Sequence, residues 1–205
     1  MRLLLLLNPH AAAGRAEALG DRIGERLGRF ADVQTMNSAG PGDATRLVAD
    51  ADLSSFDAVV AAGGDGTLFE VINGIYDNGI EDKPPLGVVP VGTGNAFARD
   101  LGLAPGDWKK GVDLVAAGKK RAFDVGRVES AEGVYHFLNI VGAGLPVDAM
   151  LTAEKLEFLG RGAYTVATLW RARQLRTYDL DIRLDGPGIQ RKSRLIEVSN
   201  TRFTG

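Results

Sequence analysis

No cysteine occurs in this chain of 205 residues, which removes disulfides and thiolate metal sites and makes a reducing compartment the easier fit. Histidine is almost as scarce. His10 and His136 are the two present, too few for a histidine-built metal cluster, and each alone reads as a structural or surface residue. Positive charge is not in surplus either. With 24 Lys and Arg against 26 Asp and Glu the formal net charge is -2, which argues against a nucleic-acid binder working through a basic surface. No apolar stretch approaches the continuous length of a membrane-spanning helix. Met1-Arg2, Leu3 to Leu7 and Ala11-Ala12-Ala13 have the outline of a secretory signal, but the apolar core is too short and Asn8-Pro9-His10 interrupts it. The expectation is a cytoplasmic protein, with peripheral contact at a membrane left open.

The standard phosphate-loop signatures are missing as well. No Gly-x-x-x-x-Gly-Lys-Ser/Thr occurs. Gly92-Thr93-Gly94-Asn95-Ala96-Phe97 opens like a dinucleotide fingerprint but has Phe97 where the third glycine belongs, and Gly142-Ala143-Gly144-Leu145-Pro146-Val147 fails in the same way. A conventional dinucleotide-binding domain is therefore not expected.

What is present is ordinary soluble composition, 45% hydrophobic and 24% charged, arranged in an alternating pattern. Leu3 to Leu7 reads as a strand buried on both faces, the habit of a parallel sheet. Leu19, Ile23 and Leu27 recur at spacing four on the helix that follows. Val33 and Thr35 mark a second strand, and Ala44, Leu47 and Val48 a second helix beyond Gly40-Pro41-Gly42. Asp57 to Ala62 is a third strand, and the helix after it reaches about Tyr76. Leu86 to Val91 is a fourth strand, followed by helices over Ala96 to Leu101 and Trp108 to Ala117. Alternation at this spacing predicts right-handed crossovers and a doubly wound sheet. Ligands of such sheets sit beyond the carboxyl ends of the strands, where the loops after strands one, three and four are rich in Asn, Gly, Asp and Thr.

The pattern changes near Lys119. Arg121 to Val128 and Val134 to Val141 read as strands, Tyr178 to Leu184 alternates, and Asp185-Gly186-Pro187-Gly188 turns it into Ile189 to Ser199. A helical stretch from Pro146 to about Arg176 intervenes. The expected organisation is an α/β domain over 1–120 and part of an antiparallel β-sandwich over 121–205. The final residues, Asn200 to Gly205, read like a loop leaving a strand toward further structure, so the chain is expected to be a fragment.

Gly63-Gly64-Asp65-Gly66-Thr67, between the third strand and its helix, is the stretch richest in chemistry. Its glycines free the backbone for positive φ and close approach, and a helix N-terminus beyond it favours phosphate. The five residues alone fit equally well a tight turn with Thr67 as the helix cap.

Asn8-Pro9 with Gly14, Gly63 to Thr67, Pro90-Val91-Gly92-Thr93-Gly94-Asn95-Ala96-Phe97-Ala98-Arg99, Phe123-Asp124-Val125-Gly126, and Phe137-Leu138-Asn139-Ile140-Val141-Gly142-Ala143-Gly144 occur in that order. Together they resemble the diacylglycerol kinase catalytic-domain family, which includes bacterial soluble lipid kinases and the sphingosine and ceramide kinases. The Gly-Gly-Asp-Gly-Thr element is shared with NAD kinases and resembles phosphofructokinase sequences; the Gly-Thr-Gly-Asn-x-x-Ala-Arg element points to the lipid-kinase branch. The resemblance implies a first domain of the NAD kinase/phosphofructokinase type, a sandwich domain after it, and transfer of the γ-phosphoryl of magnesium ATP to a lipid hydroxyl.

Carried over by position, Asn8, Pro9, His10 and Gly14 would lie along the nucleotide, with Ser38 where the family commonly has threonine. Gly63, Gly64, Asp65, Gly66, Thr67, Leu68 and Phe69 would cradle the phosphates and Thr93 would add a hydroxyl. Asn95 belongs to the same nucleotide loops and reads as their pin, since asparagine beside glycine bonds its own backbone. Asp65, Arg99 and Asp124 are the catalytic candidates; Asp65 and Asp100 are the candidates for magnesium. Arg99 would neutralise developing phosphoryl charge. In the family a general base and a structural magnesium site lie beyond the segment matching Asn200 to Gly205, so the base is expected past Gly205; Asp185-Gly186 sits at a hairpin tip and is not a substitute. Expected partners are a nucleotide, a lipid with a free hydroxyl and, transiently, a membrane surface, with room for a homodimer. Leu169, Trp170, Arg171, Arg173, Leu175 and Arg176 mix apolar and basic character as an interfacial helix does, although a helix packed on the sandwich fits them better. The alternatives are an NAD kinase, against which the Gly92 to Arg99 loop argues, and a nucleotide-binding form without catalysis.

Overall fold

Five consecutive leucines, Leu3 to Leu7, send their side chains alternately to opposite faces of a strand, and both faces of β1 (Arg2–Leu7) are covered. Leu4 and Leu6 enter one core; Leu3, Leu5 and Leu7 enter the other. Each is at most 5% exposed, and burying each such side chain contributes about 2 kcal/mol. The computed structural model describes residues 1–11, 15–92, 94–144, 177–183 and 186–203. The expected helix over 146–176, and with it the basic and apolar run from Leu169 to Arg176, lies outside the described residues.

The chain divides into two compact units, Met1–Asn139 with Asn200–Gly205, and Ile140–Ser199. In the first, β2 (Asp32–Asn37), β1, β3 (Ala58–Gly63) and β4 (Leu86–Pro90) form a parallel sheet in that spatial order. Leu5 pairs with Thr35 on one side and Val60 on the other. β1 connects outward to β2, and the chain then returns past β1 to β3, so the sheet is doubly wound with its switch point between β1 and β3.

Helices cover both faces. α1 (Arg15–Leu27) and α5 (Trp108–Ala116) share the core lined by Ile23, Leu27 and Val112. Gly87 of β4 leaves room for this layer, since a Cβ there would meet Val115 at 2.8 Å. α2 (Asp43–Ala49) and α3 (Asp65–Asp77) fill the opposite face through Val48, Leu68, Val71 and Ile75. Their close packing needs Gly74, where a Cβ would lie 2.6 Å from the carbonyl of Thr45. Asn78, the C-cap of α3, donates to the carbonyls of Val48, Ala49 and Ala51 at 2.8–3.3 Å and ties off the end of α2.

The unit is completed by α4 (Ala96–Asp100) and the hairpin β5 (Gly126–Ser130) with β6 (Gly133–Phe137). β6 lies on α3. Phe69 stacks on Tyr135 and Tyr76 on His136, the latter pair with centroids 3.8 Å apart. Burial pulls the His136 imidazole below its ordinary pKa, with Arg127 and Lys83 adding to the shift and Asp77 opposing it. Its Nδ1 is buried without a partner among the described residues.

The second unit contributes antiparallel pairs, β7 (Ile140–Gly144) with β10 (Leu195–Ser199), and β8 (Tyr178–Ile182) with β9 (Ile189–Ser193). The strand content expected after residue 120 is present, but its punctuation differs. The strand expected from Arg121 starts at Gly126, because Phe123 packs edge-on against Phe97 and Asn200 takes the carbonyl of Asp124. Val134 to Val141 is broken at Leu138-Asn139, whose carbonyls are also taken by Asn200. Ile189 to Ser199 is broken at Arg194, where the Ser193 hydroxyl accepts from Leu195 N–H and donates to the Leu195 carbonyl, closing a local turn.

Candidate functional site

At the switch point the loops after β1 and β3 are held together by Asn8. Its N–H donates to the Ala62 carbonyl at 3.2 Å, prolonging the β1–β3 ladder by one bond. Its Oδ1 accepts the His10 N–H at 3.0 Å, an Asx turn that bends the chain away, and its Nδ2 donates to Thr67 Oγ1 at 3.2 Å. Residues 59 positions apart in sequence thus share one bond at the mouth of the sheet.

The glycine-rich stretch is not a five-residue loop. β3 runs through Gly63, Gly64 alone links it to the helix, and Asp65, Gly66 and Thr67 form the first turn of α3. Thr67 is therefore not the cap. The N-cap is Gly64, in extended conformation and without a side-chain cap bond, so among the described residues no side chain caps the amides of that turn. Nor are the glycines there for positive φ, since none of Gly63, Gly64, Gly66 or Gly92 is left-handed. They are needed for close approach. A Cβ on Gly92 would sit 2.5 Å from the Cα of Gly64, and one on Gly63 would collide with the Thr67 side chain. The N–H groups of Val91 and Gly92 both donate to the Gly63 carbonyl, at 2.9 and 3.1 Å, so the ends of β3 and β4 leave the sheet locked together.

Asn95 takes the left-handed conformation instead, at φ 54° and ψ 50°. It is 3% exposed, and its Nδ2 donates to the Gly92 carbonyl at 2.6 Å, closing the loop that opens α4. The amides at the start of α4 then meet Asp65. Its Oδ2 accepts from Ala96 N–H at 3.0 Å, and its Oδ1 from Phe97 N–H at 3.4 Å and from Asn139 Nδ2 at 2.7 Å. One carboxylate joins the first turn of α3, the first turn of α4 and the end of the β5–β6 hairpin.

The remaining expected residues are distributed around this junction. Ser38 is buried just past β2, its N–H on the Leu7 carbonyl at 2.9 Å. Pro9 is half-buried and His10 exposed. Leu68 faces the core, with its N–H on the Gly64 carbonyl at 3.0 Å; Phe69 is exposed on Tyr135. A shallow recess lined by Gly63, Gly64, Asp65, Leu68, Asn95 and Ala98 opens at the junction. Gly14 and Thr93 lie outside the described residues.

Arg99, half-buried, has its guanidinium 4.2 Å from the centroid of the Phe203 ring. Asp100 Oδ2 accepts the Arg202 N–H at 3.0 Å. Asp124 is exposed, and its carbonyl rather than its carboxylate is engaged. Among the described residues no three His, Asp or Glu side chains converge in a way that would hold a metal ion, and no helix is long and apolar enough to cross a membrane. The site residues missed at the level of sequence are Asn139 and Asn200. Asn139 interrupts the apolar run Phe137-Leu138-Asn139-Ile140, inside a segment that carries the resemblance, whereas Asn200, following Glu197-Val198-Ser199 and preceding Thr201, has no local signal.

Comparison with known proteins converges on one group. The family model for the diacylglycerol kinase catalytic domain matches residues 2–128. The chain is 38% identical over 166 residues to a diacylglycerol kinase of Bacillus subtilis (strain 168), covering 80% of this chain and 53% of that protein. It is 35% identical over 162 residues to one of Staphylococcus aureus (strain JH9), covering 78% of this chain and 49% of that protein. A crystal structure of a diacylglycerol kinase from Bacillus anthracis str. Sterne superposes with a TM-score of 0.74 at 29% identity, covering 98% of this chain and 65% of that one. The chain spans about half the length of the curated relatives it matches.

Proposed function

The chain belongs to the diacylglycerol kinase catalytic domain family, and from that premise we propose that it supplies the nucleotide-binding part of a lipid kinase, which transfers the γ-phosphoryl of ATP to a lipid hydroxyl. The observation that carries this reading is the convergence of three strand-to-helix connections on one junction: Asn8 on Thr67, Gly64 against Gly92, and Asp65 on the amides of Ala96 and Phe97.

In this reading the phosphates lie against the uncapped first turn of α3, where free amides and the positive end of a 13-residue helix favour negative charge. The turn is open at Gly66, where a Cβ would meet nothing within 4 Å. Asp65 organises the junction. Of the roughly four lone-pair sites on a carboxylate, three already face protein donors. The donor set therefore does not fit a protein-held magnesium ion, and the ion that the resemblance implies would arrive on the nucleotide phosphates. Arg99, in the last turn of α4, is the cation offered to the developing charge. Transfer breaks the bond from the β,γ-bridging oxygen to the γ-phosphorus and forms one from the acceptor oxygen. The acceptor oxygen gives up its proton to a general base as the new bond forms.

Titration calorimetry of this chain with magnesium ATP tests the nucleotide reading, with saturable one-to-one binding as the expected result and no heat of binding as the result that ends it. For the acceptor, the protein given γ-labelled ATP and lipid is expected to label diacylglycerol or a sphingoid lipid. Label appearing in NADP instead would move the reaction to NAD kinase chemistry.

A further inference from the structure

Residues 200–203 re-enter the first unit after the second and touch it at several points. Asn200 N–H donates to the Asn139 carbonyl at 2.7 Å, and its Nδ2 donates to the carbonyls of Asp124 at 2.7 Å and Leu138 at 3.2 Å. Arg202 N–H meets Asp100, and Phe203 lies under Arg99. Asn139, the residue Asn200 holds by its main chain, is the one whose side chain donates to Asp65.

We propose that Asn200 is a positioning residue for the phosphate junction: by clamping the Leu138-Asn139 main chain it sets the Asn139 amide on Asp65, and through Asp65 it sets the start of α4. The chemistry is specific to asparagine. Leu138 and Asn139 lie between β6 and β7, so their carbonyls have no partner within either strand's own ladder. Leu138 is 6% exposed, and a buried carbonyl without a donor is costly. Asn200 answers with three N–H donors at once, and with both side-chain protons committed its amide is held in a single orientation. Aspartate, of the same shape, has no side-chain donors. Serine cannot span two carbonyls.

The consequence for nucleotide affinity rests on the reading given above; the consequence for α4 does not. Amide hydrogen exchange on the ligand-free chain therefore serves as the first readout. Asn200→Ala is expected to speed exchange of the Ala96 and Phe97 amides about tenfold, and to weaken magnesium ATP by a similar factor. Asn139→Ala, which keeps the carbonyls that Asn200 binds and removes only the link to Asp65, is expected to do the same with a smaller loss of thermal stability. It also stands in should Asn200→Ala fail to fold. Asn78→Ala is the control, an asparagine that likewise satisfies three main-chain carbonyls but far from the junction. It is expected to lower stability while leaving both readouts unchanged.

In an Asp65→Ala background, which leaves no side-chain partner for Asn139, Asn200→Ala is expected to add little; additive losses would mean a merely structural role. If Asn139→Ala leaves the Ala96 and Phe97 amides as protected as in the wild type, the relay is overturned. If the wild type binds no nucleotide but the exchange pattern appears, the nucleotide reading falls and the relay stands.

Discussion

Asn73, in the middle of α3, pairs with the main chain of His136 as a neighbouring strand would. Its Nδ2 donates to the His136 carbonyl at 2.9 Å and its Oδ1 accepts the His136 N–H at 2.8 Å. The same Nδ2 also donates to the Phe69 carbonyl at 2.7 Å, within its own helix. A helix side chain thereby satisfies the outer edge of β6 and fixes the β5–β6 hairpin on α3, whose first turn carries the amides left without a side-chain cap.

Asn73→Ala leaves the N–H and carbonyl of His136 unpaired beside a 5% exposed position, and is expected to cost about 1–3 kcal/mol. Urea unfolding followed by circular dichroism measures it. A midpoint equal to the wild type would show that the pairing contributes nothing net.

The stacked His136 makes stability depend on pH. Its folded-state pKa lies below the ordinary value of 6.5, so between the two values the unfolded chain binds more protons than the folded one. Its contribution is complete above about pH 6.5 and declines as the pH falls toward the folded-state value. On going from pH 7.5 to 5.5 the melting temperature of the wild type is expected to fall further than that of His136→Phe, which keeps a ring on Tyr76 and removes the titration. Parallel falls would exclude the imidazole as the cause.

Gly92→Ala drives a methyl into the Gly64 main chain and pushes the ends of β3 and β4 apart. The expected outcome is nucleotide binding weaker by about tenfold, or 1.4 kcal/mol, with the far-ultraviolet spectrum unchanged. Undiminished affinity would mean that the closeness of these loops is irrelevant to the ligand.

At Asn95 the usual order of helix preference should invert. Asn95→Gly loses the bond to Gly92 but tolerates φ 54°, whereas Asn95→Ala loses the bond and is strained by about 1–2 kcal/mol more. Thermal denaturation of both variants decides this. An alanine variant as stable as the glycine one contradicts the left-handed conformation.

Leu5→Ala removes a side chain that is 0% exposed in an inner strand of the sheet, for an expected loss of about 2–5 kcal/mol. Leu114→Ala, at a residue of α5 that is 45% exposed, should be close to neutral by the same measurement.

The parallel sheet was legible because its signals are local and redundant. An unbroken leucine strand, apolar helix positions at spacing four and glycine-rich connections each demand the same layers. At Gly63 to Thr67 a glycine-rich strand-to-helix connection was legible, but not its shape. Glycine predicts freedom without saying how it is used, and here it serves contact with Gly92, while the left-handed residue is Asn95. After residue 120 the strands were visible and their breaks were not. Those breaks lie where Asn200 or Ser193 captures a main-chain group. Asn200 acts from 62 positions away and leaves no local trace, while Ser193 acts two residues away through a hydroxyl that an alternating strand pattern does not distinguish from an exposed side chain.

By itself, then, the sequence determined the layered α/β framework and where its chemistry-bearing connections lie, because hydrophobic period and turn chemistry act over a few residues. The tertiary structure alone decided what those connections do to one another. That Asp65 spends its carboxylate on Ala96, Phe97 and Asn139 rather than facing outward free follows from hydrogen bonds across separations of 31 to 74 residues. Such bonds form only after the packed sheet has brought their partners within about 3 Å of one another, the distance over which they act.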